Sequence, residues 1–177
     1  MAQVCSQVES VRIAMARATL NKVSTTEIRK QLRDIVLTRE NRPRSSREDA
    51  MTAPINRDLP VIVTRRASGK TTGLVHFIGE RTLLLPESET IGVLCPTEGI
   101  AQEFLHQFKT HFPTLQEPVV LTIDRAMDRM VGRKFHEVYA EEVFLMYTDR
   151  LSEVCAHFPV VAGVGTIEAP TTITIRV

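Results

Sequence analysis

The stretch RRASGKTTG, residues 65–73, packs two arginines, a lysine, three hydroxyls and two glycines into nine residues, directly after the apolar run LPVIVT at 59–64. A buried strand that ends in a small-residue turn and resumes as a helix presents successive backbone N–H groups. Together with the positive end of the helix they make a cradle for phosphate. In such a cradle Lys70 neutralises the outer phosphates and the Thr71 hydroxyl faces a magnesium ion. Triphosphate chemistry also needs a carboxylate at the end of a neighbouring strand for the metal, and another to polarise water. EVYAEE, residues 137–142, supplies both: Val138, Tyr139 and Ala140 lead into Glu141, expected in the Mg²⁺ shell, and Glu142, expected to orient water.

Each signal has a plainer alternative. The usual loop pattern opens with a glycine where this chain has Thr64, so the strict pattern fails, and SGKT alone also suits a surface turn with an unrelated lysine. Paired glutamates opening a helix complement its dipole. That alternative explains the charge sign but not the strand in front of the pair.

The elements that must hold these residues follow from apolar spacing. Val4, Val8, Val11, Met15 and Ala18 lay a stripe along a helix over roughly 5–22. STTEIRKQLRDIVLTREN predicts a second helix, with Ser24 or Thr25 as N-cap and Ile28, Leu32, Ile35 and Val36 on its apolar face. Residues 39–58 carry two prolines and no periodicity, and read as a linker. The expected layout is a helical segment over 1–40, a linker over 41–58 and a core over 59–177.

From Leu59 short strands alternate with helices. Strands are expected at 59–64, 90–96, 118–124, 136–142, 158–166 and 171–177. One helix should run from Gly69 to about Arg81, a second over TEGIAQEFLHQFKTHF, and a third from the glutamate pair, with Val143, Met146, Tyr147, Leu151 and Val154 inward. The runs at 59–64, 118–123 and 159–164 are nearly all apolar, as strands buried on both faces require. The fold class is therefore α/β: a mainly parallel sheet in a three-layer sandwich, preceded by N-terminal helices.

With 177 residues, 43% hydrophobic and 24% charged, the chain can bury a sizeable core, and a net charge of +1 rules out a global polyelectrolyte signature. Nucleic-acid contact would need a local patch. RENRPRSSR, with four arginines, could track a phosphate backbone or simply be a solvated linker. Cys5, Cys95 and Cys155 are too few and too scattered for a disulfide framework or zinc site, and the five histidines show no metal-ligand rhythm. No apolar run approaches the ~20 residues of a membrane span. An intracellular, cytoplasmic protein without membrane contact is expected.

Taken in order, TRRASGKTTG, VLCPT, VYAEE and GVGT resemble the motifs of the first ATPase core of helicases and viral DNA-packaging motors. Over 59–166 the match is closest to the ATPase half of phage terminase large subunits. The resemblance implies a RecA-like P-loop NTPase sheet, with the Thr166 strand inserted between the cradle strand and the Glu141 strand. It implies ATP and Mg²⁺ as ligands, and nucleotide contacts from Arg65, Arg66, Ala67, Ser68, Gly69, Lys70, Thr71, Thr72 and Thr166. Arg66 would be a cis-acting arginine and Thr166 a γ-phosphate sensor. Glu142, Lys70 and Arg66 would be catalytic, and Thr71 and Glu141 would hold the metal. ATP hydrolysis would drive work on nucleic acid, DNA above RNA, in a viral setting and hence a host cytoplasm. Glu141 stands where aspartate is usual, and the stretch after Thr166 is too short for a second helicase core or a packaging nuclease. A minimal ATPase, a subunit whose site a neighbouring copy or partner completes, and a nucleotide-binding or structural module without turnover all fit this pattern.

Overall fold

Strands made almost wholly of apolar residues must be covered on both faces, and this chain covers them with helices. The structure, a computed structural model, describes residues 24–40, 59–130, 132–146 and 148–166. The helix expected over 5–22, the linker and the strand expected over 171–177 lie outside the described residues. The elements are α1 (Thr25–Glu40), β1 (Val61–Thr64), α2 (Lys70–Leu84), β2 (Ile91–Cys95), α3 (Glu98–His111), β3 (Val119–Thr122), α4 (Ile123–Met130), β4 (Glu137–Ala140), a single 3-10 turn (Val143–Leu145), α5 (Thr148–His157) and β5 (Val160–Thr166).

All five strands are parallel, in the order β1-β5-β4-β2-β3. The Thr166 strand therefore lies between the strand that precedes the glycine-lysine turn and the strand that precedes the glutamate pair, as expected. Register aligns Thr64 with Thr166 and Ala140 with Gly163, so the carboxyl ends of β1, β5 and β4 share one edge of the sheet. Alternate residues feed two cores. Ile62, Val93, Tyr139 and Val164 face α1, α2 and α3, while Val61, Leu94, Val138 and Ala140 face α4, α5 and the 3-10 turn. The result is the three-layer α/β sandwich that the doubly buried strands demanded.

The stripe of α1 is buried at Ile28, Leu32 and Val36, and Ser24 is its cap, its Oγ accepting the Glu27 N–H at 3.3 Å. Several expected boundaries shift. The cradle helix runs on to Leu84, because Phe77 and Ile78 keep it packed past the midpoint and Arg81 is anchored to Glu137 of β4. β3 stops at Thr122, and Ile123 turns straight into α4, where it is buried with Ala126 and Met130.

The glutamate pair does not open a helix. β4 ends at Ala140 and Glu142 takes a left-handed backbone, φ 53°. Leu145 and Met146 then donate to the Glu142 and Val143 carbonyls in one short turn, and α5 starts only at Thr148. Burying Val143 and Met146 in the lower core requires that sharp turn, which a helix continuing directly from the strand could not make. The dipole explanation of the pair loses its helix.

At the opposite edge, Glu137 is buried within β4. Arg81 pairs with both its oxygens, Nε donating to Oε2 at 3.1 Å, and the Tyr139 hydroxyl donates to Oε2 at 2.6 Å. Burial works against the Arg81 charge, but the Glu137 carboxylate outweighs it and holds the guanidinium above its ordinary pKa. Burial, reinforced by Glu137, pushes the Tyr139 phenol up.

Candidate functional site

The turn after β1 leaves its backbone donors open to an anion. Arg65, Arg66 and Ala67 are exposed, and Ala67 takes a left-handed backbone at φ 55°. Gly69, at φ 77°, is the N-cap of α2 and offers no side chain to bond the first-turn amides. The other two long helices are closed at this point: Ser24 caps α1 and Thr97 caps α3, each with a glutamate in the first turn. The first turn of α2 has no acidic residue. Its amide donors are therefore not taken by a capping side chain, and they sum with the helix dipole to favour negative charge.

Lys70 and Thr71 open α2 and meet the glutamate pair across the sheet edge. Lys70 Nζ lies 2.6 Å from Glu142 Oε1, with the two side chains 13% and 16% exposed. The Thr71 hydroxyl donates to Glu141 Oε1 at 2.5 Å. Thr166, ending β5 between them, donates its backbone N–H to Glu142 Oε2 at 3.1 Å and its hydroxyl to Oε1 at 3.0 Å. Five of the residues singled out in the sequence thus form one bonded cluster. The left-handed turn at Glu142 aims its carboxylate back over β5. Two β5 glycines leave the room that turn needs: side chains at Gly163 and Gly165 would run into Val143 and Phe144.

Glu141 is 1% exposed, and burial pushes its carboxyl up to about 7, against the Thr71 hydrogen bond and the Lys70 charge, with the Glu142 charge adding to the rise. Burial, and then the Glu141 charge, push the Cys95 thiol up, which leaves it an unreactive neighbour. Glu141 Oε2, Thr64 Oγ1 and Ser68 Oγ are buried without a hydrogen-bond partner among the described residues. All three stand at the ends of β1 and β4 or in the turn between β1 and α2. Buried polar atoms are nearly always satisfied, so this edge offers three polar atoms that water, an ion or a polar ligand can complete.

Thr72 faces elsewhere: its hydroxyl donates to Gln107 on α3 at 3.3 Å. Thr97, in the PT that ends the β2 segment, spends its hydroxyl on capping α3. Sequence reasoning did not single out Thr64 as a site residue, nor the first turn of α1, which lies against Gly69 and Gly73. Thr64 was legible only as the place where the usual glycine is absent.

Among the described residues no three of His, Cys, Asp or Glu gather as a metal cluster, and no helix is long and apolar enough to cross a membrane. A hollow of about 530 Å³ lies far from this cluster, at the amino ends of β2 and β3, lined by residues such as Leu85, Glu87, Ile91, Leu115 and Glu117. Its lining carries carboxylates and no cation, the wrong sign for a phosphate. Compared with models of known families and with curated proteins, the chain matches none.

Proposed function

We propose that the chain binds ATP with Mg²⁺ at the Lys70–Glu142 cluster and hydrolyses it to do work on nucleic acid, in the manner of the terminase and helicase cores its motifs resemble. The observation that carries this reading is the convergence of Lys70, Thr71, Glu141, Glu142 and Thr166 at the uncapped start of α2. A surface turn with an unrelated lysine does not bring two carboxylates and a second hydroxyl from two other places in the chain to that lysine and its neighbouring threonine.

The residues suit the ligands. Mg²⁺ beside a nucleotide takes one or two protein oxygens and fills its remaining positions with phosphate and water, so Thr71 and Glu141 suffice as protein ligands. Glu141 Oε2 is orphaned and its carboxyl is hard to ionise by burial alone; a cation relieves both. Bound there, Mg²⁺ offsets the charge that builds on the leaving phosphate. The backbone amides of 66–71 hold phosphate oxygens, and Lys70 and Arg66 neutralise developing charge. Glu142 positions the attacking water, held in orientation by the Thr166 amide and hydroxyl. DNA is the favoured polymer, and a second copy or partner subunit completing the site is compatible with the exposed position of Arg65 and Arg66.

A second reading, nucleotide binding without turnover, is favoured by one observation. Glu142 already accepts from three donors, so it is committed to Lys70 and Thr166 rather than open to water. Phosphate release with and without DNA, for wild type, Lys70→Ala and Glu142→Gln, decides between them. ATP hydrolysis is expected in wild type and lost in both variants. If wild type binds nucleotide in a Lys70-dependent way but releases no phosphate, the binding-only reading replaces this one. If it binds none, the nucleotide proposal is wrong.

A further inference from the structure

The turn that presents Lys70 leans on a helix some forty residues earlier in the chain. Gly69 holds a left-handed φ of 77°, and a Cβ there would stand 2.7 Å from Thr25 Oγ1. Four residues on, a Cβ at Gly73 would stand 2.9 Å from Ile28 Cγ2 and 3.4 Å from the Thr25 carbonyl oxygen. Between these two points the Gly73 N–H donates to the Gly69 carbonyl at 2.7 Å, closing the first turn of α2 around Lys70, Thr71 and Thr72. The first turn of α1 therefore touches the cradle at both ends of the segment that carries the lysine and the metal-facing hydroxyl.

The seam behind this contact is continuous. Ile28, Leu32 and Val36 share a buried core with Leu74, Phe77 and Ile78 of α2. Arg29 and Arg33 pair with Glu80, and Arg81 pairs with Glu40. With Thr25 at Gly69 and Glu40 at Arg81, α1 runs alongside α2 in the same direction. A displacement of its first turn is therefore delivered to the cradle rather than absorbed in a loop.

We propose that the first turn of α1 is the supporting wall of the phosphate loop, with Thr25 and Ile28 as positioning residues that hold Gly69 and Gly73, and through them Lys70 and Thr71, in their binding geometry. The proposal rests on the nucleotide reading for its functional consequence but not for its mechanical one. Both contacts depend on the absence of a side chain: glycine at 69 and 73 lets the helices approach, and the wall in turn denies the left-handed turn at Gly69 room to relax. A loop pre-shaped in this way binds without the cost of ordering it, so loosening the wall weakens binding even though neither residue touches the ligand.

The test uses the full chain. Ile28→Ala opens the wall beside Gly73, and Val36→Ala removes comparably buried apolar volume from the far end of the same helix. Thr25→Ala removes the contact at Gly69 from a half-buried position that the fold can spare, and Thr25→Ser restores its oxygen. MgADP affinity, urea midpoint and amide exchange of Lys70–Gly73 without nucleotide are measured for each. Ile28→Ala and Thr25→Ala are expected to weaken MgADP by about tenfold and to speed exchange of those amides. Val36→Ala should lower the midpoint while leaving affinity within about twofold, and Thr25→Ser should return both readouts to wild type. Affinity losses that simply track stability across the Ile28 and Val36 variants would overturn the wall, as would unchanged exchange in both Thr25→Ala and Ile28→Ala. Exchange that responds as described while wild type binds no nucleotide upholds the wall and removes the nucleotide reading.

Discussion

Replacing Glu142 with glutamine should move nucleotide affinity and turnover in opposite directions. In the structure its carboxylate accepts from Lys70 Nζ at 2.6 Å, from the Thr166 hydroxyl at 3.0 Å and from the Thr166 N–H at 3.1 Å. A phosphate that takes Lys70 must first displace this carboxylate. A charge-assisted hydrogen bond in such a setting is worth about 1.5–3 kcal/mol. Glutamine keeps the shape and an acceptor for Thr166 but drops the charge, so roughly half of that competition disappears. The expected gain is about 0.75–1.5 kcal/mol, a roughly four- to tenfold lower Kd for MgATP. Turnover should fall by about 10²–10⁴-fold, the usual contribution of a group that orients or deprotonates water. That loss corresponds to about 3–5 kcal/mol at the barrier. Equilibrium titration with MgATP and phosphate release measured on the same preparations read the two quantities, and Lys70→Ala, expected to lose binding outright, serves as the control. A Kd for Glu142→Gln equal to or weaker than wild type means that the Lys70–Glu142 contact is not one a nucleotide must replace. Turnover within threefold of wild type, a bound set by the ~10²-fold lower limit for such groups, removes the water-positioning role.

Four further outcomes follow from other parts of the structure. Because burial raises the Glu141 carboxyl to about 7 in the fold, against 4.5 for a free side chain, the native state holds its proton more tightly than the unfolded chain between those values. Its stabilising effect is complete below 4.5 and is lost as pH rises through 7, about 3 kcal/mol in all. Urea unfolding at pH 5 and pH 8 should show this decline in wild type and a flatter profile in Glu141→Gln; equal slopes would mean that the carboxyl is not held protonated. Gly69→Ala should cost about 1–3 kcal/mol, because φ 77° and the nearby Thr25 both oppose a side chain. Gly99→Ala, in the first turn of α3 with nothing within 4 Å of the new methyl, should stabilise by about 0.4–1 kcal/mol. The urea midpoints of the two variants, moving in opposite directions, check both statements. Removing one partner of the buried Arg81–Glu137 pair, as in Arg81→Met, should cost about 3–5 kcal/mol, while Arg81→Met with Glu137→Leu recovers most of it. A double variant no better than the single would show that the stranded charge is not the main penalty.

How much of this was legible beforehand varies by element for physical reasons. Helices α1 and α3 were readable because each carries its own apolar stripe, and Ser24 and Thr97 mark where they begin, while α2 was placed by the glycine-lysine turn in front of it. The strands were readable because Val61, Ile62, Val93, Leu94 and Val161 leave no polar face to put in water. The segment after β4 was misread: Val143, Met146, Leu151 and Val154 have helical spacing, but burying Val143 beneath β5 takes a 3-10 turn and a left-handed Glu142 first. No local pattern distinguishes that path from a helix that starts at once. Glu137 was also opaque, since a charged residue within a strand reads as an exposed position until Arg81, fifty-six residues away, is seen to neutralise it.

The amino-acid sequence by itself determined a parallel sheet between helical layers, and it placed lysine, threonine and two glutamates at strand ends. Burial on two faces and the chemistry of single residues are local properties, carried by each stretch of chain regardless of its partners. The place of β5 between β1 and β4, which brings Thr166 to Glu142, was expected only through the motif resemblance and was decided by the tertiary structure, which alone decided that α1 would back the cradle at Gly69 and Gly73. Those pairings join segments from twenty-four residues apart, as at Thr166 and Glu142, to about a hundred, as between β1 and β5. They are settled by the order in which strands pack and by the close approach that glycines permit, and neither has a signature within the segments themselves.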